Sequence, residues 1–331
     1  MSITEHPYDI PAFETLLLHA TVAHEARFWQ AFVEQQKNTE PDKLTLATLL
    51  ASAAIMRPIL ALDDIAQQTR LLCTIGGPLG NEHRGIDALP AYAFETILYH
   101  SQLKHHTVFR IEERNKFQTL SDAPTIDYAV FVDPVDETSE IEKKQPLQTT
   151  GIALFNMKGT LVAGGIASLV DQTLLLCEAQ GPTLYDFDEK AKTLTKIQST
   201  VSTRGTDDIR YTMLTRRLHD PYNPLPQYFR DHQPALDAFG GIGVLNILTG
   251  TLDAAIDPVK GQPPYEAYIW GVLAEKAGLV VRDASTGKTI DWKKRIPAYS
   301  RGEPWASKRI PIIIAKDIVT AKKLLQKAKY S

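Results

Sequence analysis

The sequence predicts an α+β layered sandwich in two domains, 1–200 and 201–331. Three observations predict it. The first third carries helical spacing, the middle carries a succession of short β-branched runs, and the last third alternates helix and strand signals. Length agrees, because 331 residues are about two domains' worth of chain.

In the first third, Pro11 to about Gln36 places Phe13, Leu17 and Ala20 on one stripe, with Leu16 and Ala23 beside it. Leu44 to Leu62 is apolar, but Thr45, Thr48, Ser52 and Arg57-Pro58 interrupt it, so it reads as a buried core helix rather than a membrane span. Pro58 to Leu72 has proline in its first turn and Gly76-Gly77-Pro78 beyond its end. Ala88 to Lys104 reads as helix with Pro90 in its first turn.

The middle switches to strands at Thr107–Ile111, Tyr128–Val132, Gly151–Phe155, Leu161–Ser168 and Thr173–Cys177. Lys158-Gly159 and Gly181-Pro182 punctuate them, which suggests an antiparallel meander. In the last third, helices are expected at Asp207–Leu218, Gly241–Leu248, Tyr265–Ala277 and Ile318–Lys327. Strands are expected at Leu252–Ile256, Leu279–Arg282 and Ile310–Ala315. Polar Thr200–Thr206 marks the domain boundary, and Lys293-Lys294-Arg295 reads as a solvated loop with a possible part in drawing in an anionic substrate.

Composition excludes several classes. Hydrophobic residues are 44% and charged residues 23%, which rules out wholesale disorder. A net charge of −3 offers no general basic field for nucleic acid. Cys73 and Cys177 both lie in apolar runs and read as buried thiols. No basic, then apolar, leader opens the chain, so a cytoplasmic protein with no membrane partner is expected. His105-His106 lacks further ligands at zinc spacing, no Gly-x-Ser-x-Gly frames a serine, and Gly76–Gly80 lacks the Lys-Ser/Thr ending of a phosphate loop.

The chemistry-bearing residues are carboxylates at strand ends. Glu112-Glu113 follow one strong strand, and Asp133-Pro134-Val135-Asp136 follow the next. If the two strands are neighbours, their acids share an edge and raise each other's pKa unless a cation neutralises them. An all-oxygen donor set selects a hard ion, Mg²⁺ or Mn²⁺. Ser139 with Glu142 fits a capping box, and a helix N-terminus there offers free N–H groups to a phosphate. Either acidic pair alone reads as a solvated turn.

These residues resemble the superfamily of fructose-1,6-bisphosphatase and inositol monophosphatase. The acidic pair, the Asp133-Pro134-Val135-Asp136-Glu137-Thr138 run, Tyr265-Glu266 and Glu275-Lys276-Ala277-Gly278 match its motifs in order. Gly80 through Asp87-Ala88-Leu89, and Lys260 six residues before Glu266, resemble the fructose-bisphosphatase branch. Gly241 to Asn246 and Leu252 to Asp257 look more like the inositol-phosphatase branch. The likeness spans roughly 75–330.

The resemblance implies a layered α-β-α-β-α sandwich of the sugar phosphatase type and a metal-dependent phosphoric monoester hydrolase. Its ligands would be Glu112, Asp133, the Val135 carbonyl, Asp136 and Glu266, holding two or three Mg²⁺ ions, with Mn²⁺ as the alternative. Asp87 and Glu113 would deprotonate the attacking water. Thr138, Glu137 and Ser139 would present the phosphate-binding backbone, with Thr138 also catalytic, and Lys260 and Asp257 would contact substrate. The implied substrate is a small phosphorylated sugar or polyol, foremost fructose 1,6-bisphosphate, and the implied assembly is a homodimer or homotetramer. Alternatives are inositol monophosphate or adenosine-bisphosphate hydrolysis, or a catalytically impaired metabolite-binding homologue. Glu137 motivates the last, because it stands where the family has glycine. Ile242 replaces a small residue, the second acid that often follows the upstream Asp is replaced in the Ala91-Tyr92 region, and two extra residues separate Asp87 from Glu112.

Overall fold

The protein is described from a computed structural model over residues 41–60, 74–76, 83–84, 88–111, 117–119, 125–138, 141, 145–188, 193–205, 208–213, 227–232 and 234–329. It divides into two compact units, Met1–Met157 with Val162–Gln172, and Lys158–Leu161 with Thr173–Ser331. The boundary expected near 200 falls inside the second unit. The helix expected at 11–36 and most of the one at 58–72 lie outside the described residues, as does Cys73.

In the first unit, helix α1 (Pro41–Leu60) packs on helix α2 (Ala88–His100), and a 3₁₀ turn over Gln102–His105 leads into the sheet. Leu44, Ala47, Leu49 and Met56 of α1 are buried, so the apolar stretch is a core helix as expected. No helix among the described residues is long and apolar enough to cross a membrane. A two-strand ribbon, β1 (Thr74–Gly76) with β2 (His83–Arg84), precedes α2.

The sheet of this unit contains β3 (Thr107–Ile111), β4 (Gln118–Thr119), β5 (Tyr128–Asp136), β6 (Thr149–Asn156) and β7 (Leu161–Ser168), in the order β7-β6-β5-β3-β4. Strand β5 runs antiparallel to β6 but parallel to β3, with Ile111 opposite Val132. A simple antiparallel meander therefore fails at β3–β5. The short β4, antiparallel to β3 on its far edge, gives the change of direction that a parallel pair requires. Phe131 packs tilted on Phe155 at 5.7 Å and edge-on to Phe117 at 5.9 Å, and Phe94 of α2 meets Phe109 of β3 at 5.6 Å.

The second unit opens with the antiparallel strands β8 (Thr173–Glu178), β9 (Gly181–Asp188) and β10 (Thr193–Ile197). Its other sheet has the order β11-β12-β14-β13, from β11 (Tyr211–Thr212), β12 (Ala254–Gln262), β13 (Val280–Asp283) and β14 (Ile310–Ala315). The helices are α3 (Gln227–Asp231), α4 (Gly240–Leu248), α5 (Pro264–Lys276), α6 (Trp292–Ser300) and α7 (Ile318–Lys329).

Alternation along β14 sorts the two faces of this sheet. Ile313 and Ala315 join Ala321, Leu324 and Leu325 of α7 in one core cluster. Ile312 points the other way, toward α5, where a Cβ on Gly271 would lie 3.1 Å from it and 2.7 Å from the Trp292 ring. The absent side chain at Gly271 is what lets the Trp292 indole lie against α5.

Two expectations are corrected here. Tyr211 and Thr212, placed in a helix by their spacing, form a buried strand pairing in parallel with Ala254 and Ala255, so tertiary pairing overrides local propensity. Lys293-Lys294-Arg295, read as a loop, begins α6. Its cap is Asp291, whose side chain accepts the Lys294 N–H at 3.1 Å, and Pro297 lies inside the helix.

Candidate active site

The Asp133–Thr138 run begins inside β5 and leaves the sheet through a bulge. Asp133 pairs with Gly151 and Asp136 with Thr149, so β5 holds one residue more than β6 between the two pairs. Pro134 lies in that interval and has no N–H to continue the ladder. Asp133 and Val135 are buried, whereas Asp136 is half-buried.

Strand β6 and its approach brace the turn from one side. Thr150 donates its hydroxyl to the Asp133 carbonyl at 3.3 Å, and Thr149 donates to the Asp136 carboxylate at 3.4 Å. Gln148 donates its amide to the Gln145 carbonyl at 3.0 Å and reaches the Glu137 carbonyl at 3.4 Å. Within the turn, the Thr138 hydroxyl donates to the Val135 carbonyl at 2.8 Å, and the Ile141 N–H to the Thr138 carbonyl at 3.2 Å.

Glu137 has φ = 62°, and among the described residues it is the one non-glycine in the left-handed region. That conformation costs an L-residue about 1–2 kcal/mol. The residue is nevertheless buried, with 8% of its surface exposed. The turn thus keeps the geometry that a glycine would adopt freely while carrying a glutamate.

The donor set of this turn is all oxygen: two carboxylates and the Val135 carbonyl, with no sulfur or imidazole among them. It fits a hard divalent cation. Among the described residues no three His, Cys, Asp or Glu side chains gather as a metal-holding group. Asp87, Glu112, Glu113 and Ser139 lie outside the described residues, as does most of the expected capping box. The parallel pairing of β3 with β5 does meet the condition set by the sequence: the described end of β3, Ile111, lies beside Val132, one residue before Asp133.

The remaining candidates belong to the second unit. Asp257 begins, and Lys260 lies within, a large bulge in β12, where Asp257 pairs with Ile312 and Gln262 with Ile310. Asp257 is buried, and its carboxylate accepts the Gly261 N–H at 3.3 Å and the Gln262 amide at 2.6 Å. It therefore holds the shape of the bulge, a role the sequence did not suggest. Lys260 is exposed on the same bulge, and Arg309 fixes the bulge by donating to the Gly261 carbonyl at 2.8 Å. Glu266 lies half-buried in the first turn of α5, where a carboxylate favours the helix dipole.

Asp253, at the foot of β12, was not singled out by its sequence pattern. It is fully buried and takes Lys316 Nζ at 2.8 Å, Arg204 Nε at 3.2 Å and the Arg210 N–H at 2.9 Å. Burial pushes its carboxyl pKa up, but these bonds, with one from Ser202, outweigh that and hold it below the usual range. Glu275 differs: burial dominates and raises its pKa, against a bond from Trp292 and the Arg282 charge. Cys177 is buried, and burial raises its thiol to about 12, so it is inert at neutral pH.

Solved structures share this arrangement of elements. Fructose-1,6-bisphosphatase of Leishmania major aligns at TM-score 0.61 over 85% of this chain and 93% of its own, with 16% identity. An inositol monophosphatase of Zymomonas mobilis aligns at 0.56 over 87% and 96%, also with 16% identity. A calcium-bound inositol-monophosphatase-family protein of Staphylococcus aureus aligns at 0.52 over 75% and 82%, again with 16% identity. The chain has the fructose-1,6-bisphosphatase/inositol monophosphatase fold. No protein-family model and no curated protein matches it by sequence. The α+β sandwich expected from element order is thus the fold observed, and the structural likeness spans far more of the chain than its sequence identity suggests.

Proposed function

We propose that this chain is a divalent-metal-dependent phosphatase acting on a phosphate monoester of a small sugar or polyol, with fructose 1,6-bisphosphate as the leading substrate. One observation carries the reading: within the fructose-bisphosphatase/inositol-phosphatase fold, a bulged, buried Asp-Pro-x-Asp turn lies at the end of a strand that pairs in parallel with β3. Asp133, Asp136 and the Val135 carbonyl would hold Mg²⁺, or Mn²⁺ in its place. The bound ion supplies Lewis acidity to the phosphate and acidity to the attacking water. Thr149 and Thr150 fix the orientation of the ligand turn. Thr138 holds the Val135 carbonyl and keeps its own oxygen as an acceptor. Lys260, exposed and positive, suits a second anionic group on a bisphosphate, and a cytoplasmic homo-oligomer is part of the same proposal.

The test is phosphate release from a panel of sugar and polyol phosphates with added Mg²⁺. Fructose 1,6-bisphosphate should turn over, and Asp136→Asn should lose about 100-fold or more of that rate. Absence of turnover across the panel, with metal present and the protein folded, overturns the reading. Preferred release from inositol monophosphate or an adenosine bisphosphate would move the substrate and leave the chemistry.

The strained, buried Glu137 favours a second reading, a metabolite-binding homologue with impaired hydrolysis. Calorimetric binding of the same esters without turnover, together with activity gained by Glu137→Gly, would establish it.

A further inference from the structure

Between Asp291 and Arg309 the chain has six basic side chains against two acidic ones, although the whole protein carries −3. Lys293, Lys294 and Arg295 fall in the first turn of α6, where the helix dipole disfavours cations. Lys293, Lys294, Arg301 and Lys308 are exposed. Among the described residues no carboxylate is within ion-pair distance of Lys293, Lys294 or Lys308. Arg309 and Arg301 have structural partners, in the Gly261 carbonyl and Glu303, whereas Lys293 and Lys294 add charge at a helix start that opposes it.

An exposed tryptophan belongs to the same face. Trp305 keeps 37% of its surface in solvent, with Lys294 Nζ 5.5 Å and Arg295 Cζ 5.7 Å from its ring centre. The face already holds one carboxylate. Arg301 donates twice to Glu303 Oε1, at 3.0 and 2.6 Å, while the Trp305 indole N–H donates to Oε2 at 2.8 Å. The geometry shows how an Arg–Trp pair grips a carboxylate here, with further cations beside it.

We propose that this face of the second unit, the first turn of α6 with Arg301, Trp305 and Lys308, docks an acidic Asp/Glu-rich segment of a partner protein. Glu303 displays the recognition chemistry, Trp305 is the anchor, and the lysines give reach and rate. Single-stranded nucleic acid favours several rings on which successive bases stack, and Trp292 and Tyr299 of α6 are buried. A membrane-surface helix turns its apolar side to lipid, and α6 buries Ile296 and Ala298 as well.

The test is fluorescence anisotropy of a labelled oligoglutamate peptide titrated with the full chain at low and physiological salt. Binding is expected, weakening about tenfold between the two salts and about tenfold in Lys293→Glu/Lys294→Glu. Trp305→Ala should weaken it about fivefold, a loss that charge alone would not produce. Thermal midpoints should not fall, because acidic residues suit the first turn of α6 better than basic ones. No binding at low salt, no effect of Trp305→Ala, a KM raised by the charge reversal, or tighter binding of a single-stranded RNA oligomer or of phosphatidylserine vesicles would each overturn the proposal.

Discussion

Thr138 donates its hydroxyl to the carbonyl oxygen of Val135 across 2.8 Å, closing the turn in which Glu137 is held at φ = 62°. The bond spans the one residue whose backbone opposes the turn, so it supports the geometry that the ligand reading of Val135 requires. Thr138→Ala should lower unfolding free energy by about 1 kcal/mol, while Thr138→Ser should stay close to the parent. Urea denaturation of the two variants checks this, and Thr138→Ala should lose more turnover than its stability loss explains.

Glu137→Gly removes a Cβ from the left-handed region and a carboxylate from a buried position. The native state is relieved by about 1–2 kcal/mol, partly offset by a freer unfolded chain, leaving a net gain of about 1 kcal/mol. A higher urea midpoint is expected. A lower one would mean that the buried side chain makes contacts worth more than the strain.

Asp253 pairs with Lys316 and Arg204 in a buried ion cluster. Removing the carboxylate leaves a buried ammonium without its counter-charge, so Asp253→Asn should cost about 3 kcal/mol. The pH dependence has a definite sign. The Asp253 pKa is lower folded than unfolded, so its contribution is present above the unfolded pKa and fades as pH falls through the folded one. Acid titration of stability should therefore be steeper in the parent than in Asp253→Asn.

Gly261 has φ = 72°, and a Cβ there would stand 2.6 Å from the Ile310 carbonyl carbon and the Pro311 nitrogen. Both are backbone atoms that cannot swing aside. Gly261→Ala should destabilise the second unit by more than about 2 kcal/mol and disorder the bulge that carries Lys260. Thermal unfolding measures the first effect. KM for a bisphosphate substrate reads the second, and Lys260→Ala should raise that KM without the stability loss.

Much of this molecule is legible in its sequence because periodicity and punctuation are local. The interrupted apolar stretch of α1, the β-branched run of β5 and the helical pattern from Tyr265 in α5 each announce their element, and the order of elements announces the layered fold. Tyr211-Thr212 was not legible, since its strand exists only through Ala254 and Ala255, some forty residues on. Helix α6 was hidden by Pro297 and by cations where a helix start disfavours them. At the candidate site, Asp133 and Asp136 stand out by their place at a strand end. The supporting Gln148, Thr149 and Thr150 are ordinary polar residues until pairing with β5 gives them their task. Asp253 is hidden for the same reason, because Lys316 and Arg204 reach it from positions 63 residues later and 49 residues earlier.

The bulge of β12 has a consequence for how this chain can vary. Five steps along β12, from Asp257 to Gln262, face only two along β14, yet the ladder resumes with Ile310. That slack is tied down: Val259 packs against the core of this sheet, and Gly261 is clasped by the Asp257 carboxylate and the Arg309 guanidinium. A residue gained or lost there has to be absorbed at the exposed tip around Lys260, so the reach of that ammonium is the property such a change would alter while the sheet beneath keeps its alignment.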